Sequence, residues 1–125
     1  MPARLEHVNI AVPDPDATAS ILQTLFGWHI RWSGASMQGY SVHVGTDDDY
    51  VALYAPGHDM APPAKRYRHW GGLNHIGVVV DDLDAAEARV KKAGFKPASH
   101  ADYEPGKRFY FDGPDGVEYE VVSYS

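Results

Sequence analysis

Along "LEHVNIAV", Leu5 to Val12, Val8, Ile10 and Val12 alternate with His7, Asn9 and Ala11. That period of two predicts a half-buried strand and places a histidine and an asparagine together on one face. The same pattern returns at "LNHIGVVV", from Leu73 to Val80. Shifted by 68 positions, residues 5–17 fall on 73–85, and six of the thirteen pairs are identical: Leu5/Leu73, His7/His75, Val12/Val80, Asp14/Asp82, Asp16/Asp84 and Ala17/Ala85. Val8/Ile76 and Ile10/Val78 exchange one β-branched residue for another. The chain therefore reads as an internal repeat, each copy running strand, turn, helix.

In the first copy Asp14 is placed to cap a helix opening at Pro15, where the missing N–H costs nothing, and Gly27 to end it. Ile21, Leu22 and Leu25 give that helix its apolar stripe. In the second copy Asp82 caps, Leu83, Ala86 and Val90 face inward, and Gly94 follows the C-terminal cations Lys91 and Lys92. Three short strands are expected after each helix: His29–Ser33, Tyr40–Val44 and Tyr50–Tyr54, then Phe95–Ala98, Arg108–Phe111 and Val117–Val122. The fold class is thus α+β: two tandem βαβββ modules, about 4–55 and 73–124, forming a curved, cup-shaped mixed sheet with its helices outside. They make one domain over 1–125, joined by a Pro- and Gly-rich linker, 56–72.

Composition narrows the chemistry. No cysteine is present, which removes disulfides, thiolate nucleophiles and Cys-based zinc sites and leaves His, Asp and Glu as the strong metal ligands. A formal net charge of −6 gives no general attraction to nucleic acid or anionic lipid. No stretch approaches the roughly 20 apolar residues of a membrane span, and no leader pattern is visible, so a cytoplasmic protein is expected.

The repeat extends to the last strand of each copy. The same shift carries Ala52 onto Glu120, and each lies 45 residues after its repeat histidine. Four equivalent positions follow, filled by His7, Ala52, His75 and Glu120. A carboxylate in mid-strand needs a partner if buried. Two imidazoles and a carboxylate with open positions suit Fe(II) and other first-row divalent ions. Asn9 shares a face with His7, where it either orients a ligand or contacts substrate. "TDDDY", Thr46 to Tyr50, lacks the ligand pattern of a calcium loop and reads as a solvated turn.

A doubled βαβββ module with a histidine in each first strand and "FYFDGPDGVEYEV" near its end resembles the vicinal oxygen chelate superfamily, which includes glyoxalase I, extradiol dioxygenases, and fosfomycin and bleomycin resistance proteins. That resemblance covers nearly the whole chain and implies His7, His75 and Glu120 as ligands of one divalent ion, Fe, Mn, Ni, Co or Zn. It also implies a homodimer. Ala52 departs from glyoxalase I, which carries Glu or Gln there, and Gly113 replaces the usual Asp of the turn. Tyr110, ten residues before Glu120, matches extradiol and fosfomycin-modifying enzymes and is the expected catalytic acid. Arg108, on the same strand face, is expected to meet an anionic group of the substrate. His43 is a further candidate base.

The function expected on this basis is that of a metal-dependent enzyme acting on a small oxygen-chelating substrate by isomerase, lyase, ring-cleaving or epoxide-adding chemistry. The alternative is a metal-free binding protein of the bleomycin-resistance type. An acidic groove with Trp28, Trp32 and Trp70 would then hold a cationic aromatic ligand.

Overall fold

A computed structural model describes residues 1–103 and 106–125. The chain divides into two units, Met1–Ala61 and Pro62–Ser125. The first contains β1 (His7–Ala11), α1 (Pro15–Phe26), β2 (His29–Ser36), β3 (Gly39–Gly45) and β4 (Tyr50–Ala55). The second contains β5 (Ile76–Val79), α2 (Leu83–Lys92), β6 (Ala98–Tyr103), β7 (Gly106–Asp112) and β8 (Glu118–Ser123), with a short 3-10 turn at Pro114–Gly116. Each unit is a four-stranded mixed sheet, in the orders β1-β4-β3-β2 and β5-β8-β7-β6. The expected α+β fold of two βαβββ modules is what the structure shows.

The repeat holds down to strand register. β1 runs parallel to β4 with His7 opposite Tyr50, and β5 runs parallel to β8 with Ile76 opposite Tyr119, partners 43 positions apart in both units. Asn9 thus faces Ala52, and Gly77 faces Glu120. On the next strand Ala52 pairs with His43 and Glu120 with Tyr110. Tyr110 is therefore the counterpart of His43, an equivalence hidden from the constant shift because the connection between the last two strands is one residue longer in the second unit.

Both helices begin as their sequences dictate. Asp14 Oδ1 accepts from the Ala17 N–H at 3.1 Å and Asp82 Oδ1 from the Ala85 N–H at 3.0 Å. Gly27, at φ 70°, closes α1. In the first unit α1 buries Ala19, Leu22 and Leu25 against the face of β3 and β4 that carries Val42, Val44, Val51 and Leu53. In the second, α2 buries Ala86 and Val90 on the sheet face of Phe109, Phe111, Tyr119 and Val121. Alternation sends His7, Asn9, Tyr50, Ala52 and His43 to the face away from α1, and Arg108, Tyr110, Glu118 and Glu120 to the face away from α2.

Two strands differ from expectation. β6 starts at Ala98, where the sequence suggested Phe95–Ala98. Residues before it finish the helix instead: Phe95 N–H bonds the Val90 carbonyl at 3.1 Å and the Phe95 ring packs 5.8 Å from Phe111. β2 runs on to Ser36 and turns into β3 through Met37 and Gln38, both at positive φ without being glycine. Gly113 has a steric reason: a Cβ there would stand 2.8 Å from the buried Tyr119 ring. Thr46–Asp49 is a side-chain-closed turn, with Thr46 Oγ1 accepting from the Asp48 and Asp49 N–H groups at 3.2 and 3.3 Å.

Candidate functional site

Glu120 is the centre of the second unit's polar face. Its side chain is 15% exposed and Arg108's is 11%, so the carboxylate needs compensation within the fold. Two neighbours on β7 provide it, because Arg108 and Tyr110 both flank Glu120 in the antiparallel ladder. Arg108 Nη1 donates to Oε1 at 3.3 Å and the Tyr110 hydroxyl donates to Oε2 at 2.5 Å. The expected shared face of Arg108 and Tyr110 is observed, and both are directed at Glu120.

His75 enters from the residue before β5. Its Nε2 lies 3.5 Å from Glu120 Oε2, and its ring stands edge-on to Tyr110 with centroids 5.6 Å apart. On the other side of the imidazole are two residues that sequence reasoning did not single out. The Tyr67 hydroxyl is 3.0 Å from His75 Nδ1 and donates a very short bond to Glu118, whose Oε1 is itself 3.8 Å from Nδ1. Hydrogen bonding to Glu118 raises the Tyr67 hydroxyl above its usual range, and burial adds to the shift. Glu118 has a signal in the repeat: it is the position 68 after Tyr50, the register partner of His7. Tyr67 has none, since it sits in the segment read as linker.

That segment is anchored on the second unit. Arg66 pairs with Asp112 at 2.8 Å and reaches the Gly116 carbonyl at 3.5 Å. Tyr67 takes a left-handed φ of 63°, and its N–H donates to Asn74 Oδ1 at 2.7 Å.

The first unit treats its own histidine in a similar way. His7 Nδ1 lies 2.9 Å from Glu6 Oε1, and Glu6 also receives the Tyr50 hydroxyl at 3.4 Å. The hydrogen bond from His7 is the main cause that holds the Glu6 carboxyl low. The His7 and Tyr50 rings stack at 4.8 Å, His43 stacks on Tyr50 at 4.6 Å, and Trp32 lies 5.1 Å from His43, a row crossing all four strands. Arg31 stands over Tyr50 at 4.3 Å. Burial, reinforced by the nearby Arg31 guanidinium, pushes His43 below its usual pKa. Asn9 is exposed beside His7, and Ala52 is buried at 2%.

Of the three expected ligands, the second unit brings His75 and Glu120 together, and His7 occupies the matching position of the first. Among the described residues, no group of three or more His, Asp or Glu gathers within metal-binding reach. The pair that does meet fits a shared cation. Two donors bound at about 2.1 Å to one ion stand some 3–4 Å apart, and a ligating histidine is ordinarily held through its second nitrogen by a carboxylate or similar acceptor, as Tyr67 and Glu118 hold His75. Arg108 pairs with Glu120, while Glu118 accepts from Tyr67 with the Arg66 guanidinium nearby, so both carboxylates beside His75 have a partner of their own.

Comparison with known proteins agrees with the fold. A glyoxylase/bleomycin resistance protein/dioxygenase domain from Frankia sp. EAN1pec superposes with a TM-score of 0.82 at 20% identity, covering 98% of each chain. The antibiotic-binding protein TnmS3 from Streptomyces sp. CB03234 does so with a TM-score of 0.74 at 18% identity, over 98% of this chain and 97% of that one. The fosfomycin resistance protein FosX from Mesorhizobium loti gives 0.70 at 23% identity, over 98% and 92%. No curated protein matches the sequence. No helix among the described residues is long and apolar enough to cross a membrane. The model of the Glyoxalase/Bleomycin resistance protein/Dioxygenase superfamily matches residues 4–121, and the chain belongs to that superfamily.

Proposed function

We propose that this protein is a divalent-metal-dependent enzyme acting on a small, oxygen-rich substrate, with His75 and Glu120 as two metal ligands and His7, the repeat counterpart of His75, as the third. The observation that carries the reading is His75 Nε2 facing Glu120 Oε2 at 3.5 Å while Nδ1 of the same ring is held from behind. A bound Fe, Mn, Ni, Co or Zn ion would supply Lewis-acid stabilisation of negative charge on a substrate oxygen.

The chain's own groups would do the rest. Tyr110 holds a proton at its hydroxyl, directed at Glu120 Oε2, within reach of a substrate oxygen at that carboxylate and therefore suited to general-acid work. Arg108 holds Glu120 Oε1 at 3.3 Å and would offer its guanidinium to an anionic group of the substrate. Asn9, on the exposed face beside His7, would contact substrate from the first unit. Isomerisation, ring cleavage and addition to an epoxide all use such a set. The working form is proposed to be a homodimer of the 13.8 kDa chain in the cytoplasm.

One observation favours a second reading. Arg108 already neutralises Glu120, which a metal-free binding protein also requires, and the row Tyr50, His43, Trp32 offers aromatic surface to a cationic aromatic ligand.

Elemental mass spectrometry on untagged protein purified without chelator separates the two. Near-stoichiometric metal that disappears in His75→Ala and Glu120→Gln is the expected result. Wild-type protein that carries none, and takes up none when Fe(II), Mn(II), Ni(II), Co(II) or Zn(II) is offered, overturns the metal reading.

A further inference from the structure

We infer that the chain sets both repeat histidines, His7 and His75, in the tautomer with the proton on Nδ1, so that Nε2 is the bare donor atom in each. The argument is one of proton counting. A tyrosine hydroxyl has a single proton, and an ionised carboxylate only accepts. The short Tyr67–Glu118 bond uses the Tyr67 proton, so toward His75 the Tyr67 oxygen is an acceptor and the proton of that 3.0 Å contact belongs to Nδ1. At His7 the partner of Nδ1 is the Glu6 carboxylate itself, at 2.9 Å, and the proton again belongs to Nδ1.

Different residues thus produce the same outcome in the two copies. Both Nδ1 contacts lie within the ordinary N–H···O range of 2.7–3.2 Å, whereas His75 Nε2 to Glu120 Oε2, at 3.5 Å, lies outside it. A bare Nε2 and a carboxylate oxygen are two acceptors facing each other across a gap that a cation would join and a hydrogen bond does not.

Tyr67, Glu118 and Glu6 are positioning residues in this account. Tyr67 is built for it: a left-handed backbone is uncommon for a tyrosine and is held here by Asn74 and by the Arg66–Asp112 pair. What the tautomer means for a cation rests on the metal reading proposed above. The tautomer itself does not, so the two ideas fail separately.

The test is long-range 1H–15N correlation through the imidazole rings of metal-free protein at about pH 8.5, two units above the ordinary histidine pKa of about 6.5. His7→Gln and His75→Gln spectra assign the two rings. In wild type both are expected to carry the proton on Nδ1. Tyr67→Phe combined with Glu118→Ala is expected to shift His75 toward the Nε2–H form and leave His7 unchanged, and Glu6→Ala to do the reverse. The first of these variants should also weaken Co(II) binding about 10- to 100-fold. A wild-type ring protonated on Nε2, a ring protonated on both nitrogens at that pH, or a tautomer that survives loss of its acceptors overturns the inference. The wild-type spectrum alone can do so, without any substitution that might perturb folding. Wild-type protein with both protons on Nδ1 that binds none of the metals upholds the inference and removes the metal reading.

Discussion

Arg108 and Glu120 are each about one-tenth to one-sixth exposed, and a pair so enclosed cannot lose one member cheaply. Arg108→Met is expected to cost about 3 kcal/mol in metal-free protein, because it strands the Glu120 charge. Arg108→Met/Glu120→Gln should recover much of that loss, and added Zn(II) should raise the melting temperature of the single variant but not of the double. Denaturant titration of the three proteins with and without the ion checks it. Away from the site, burial pushes the Glu87 carboxyl up, yet the His100 hydrogen bond and the Lys91 ammonium outweigh it and hold it below its usual pKa. A carboxyl depressed in the fold adds stability above its unfolded pKa of about 4.3 and loses it as the pH falls through the folded value. Glu87→Gln is therefore expected to cost up to about 0.5 kcal/mol at pH 5.5, a difference that closes on further acidification. At this scale the clustering of Glu120 with Tyr110 and Arg108 is legible because strand alternation fixes their common face, and the repeat marks His7 and His75 as equivalent positions. Tyr67 is not, since no periodic pattern reports which way a side chain of a Pro-rich connection turns.

The helices follow the strongest local signals in the chain, an Asp cap at each start and a glycine at or just beyond each end, and they lie where those signals put them. Asp14→Ala and Asp82→Ala should each cost about 1 kcal/mol, read by thermal or denaturant unfolding. Leu22→Ala, which empties a fully buried position of α1, is expected to cost about 2–5 kcal/mol by the same measurement. The strands were harder. β6 is displaced because Phe95 serves the core beside Phe111 and closes the helix, an assignment made by tertiary packing that β-propensity does not report. The β2–β3 hairpin escaped notice because its two-residue turn uses Met37 and Gln38 at positive φ, where glycine or asparagine is the usual marker. Gly45 marks the opposite case: a Cβ there would stand 2.3 Å from the Asp49 carbonyl oxygen, so Gly45→Ala must displace the β3–β4 turn.

Across the whole chain, duplication explains both what the sequence reveals and what it hides. Positions 7 and 75 retain histidine, while 50 and 118 have diverged to Tyr and Glu, 52 and 120 to Ala and Glu, and 43 and 110 to His and Tyr. One unit has kept a stacked aromatic row and the other has become an ionic cluster, on the same βαβββ frame. The superfamily fixes that frame and leaves the chemistry to these diverged positions. The central claim is that the cluster around His75 holds a divalent ion, and a Co(II) titration followed by visible absorption tests it most directly. The account predicts a d–d band that saturates at one Co(II) per chain and is absent from His75→Ala and Glu120→Gln. No band in the wild type, or a band of equal strength in both variants, would contradict it.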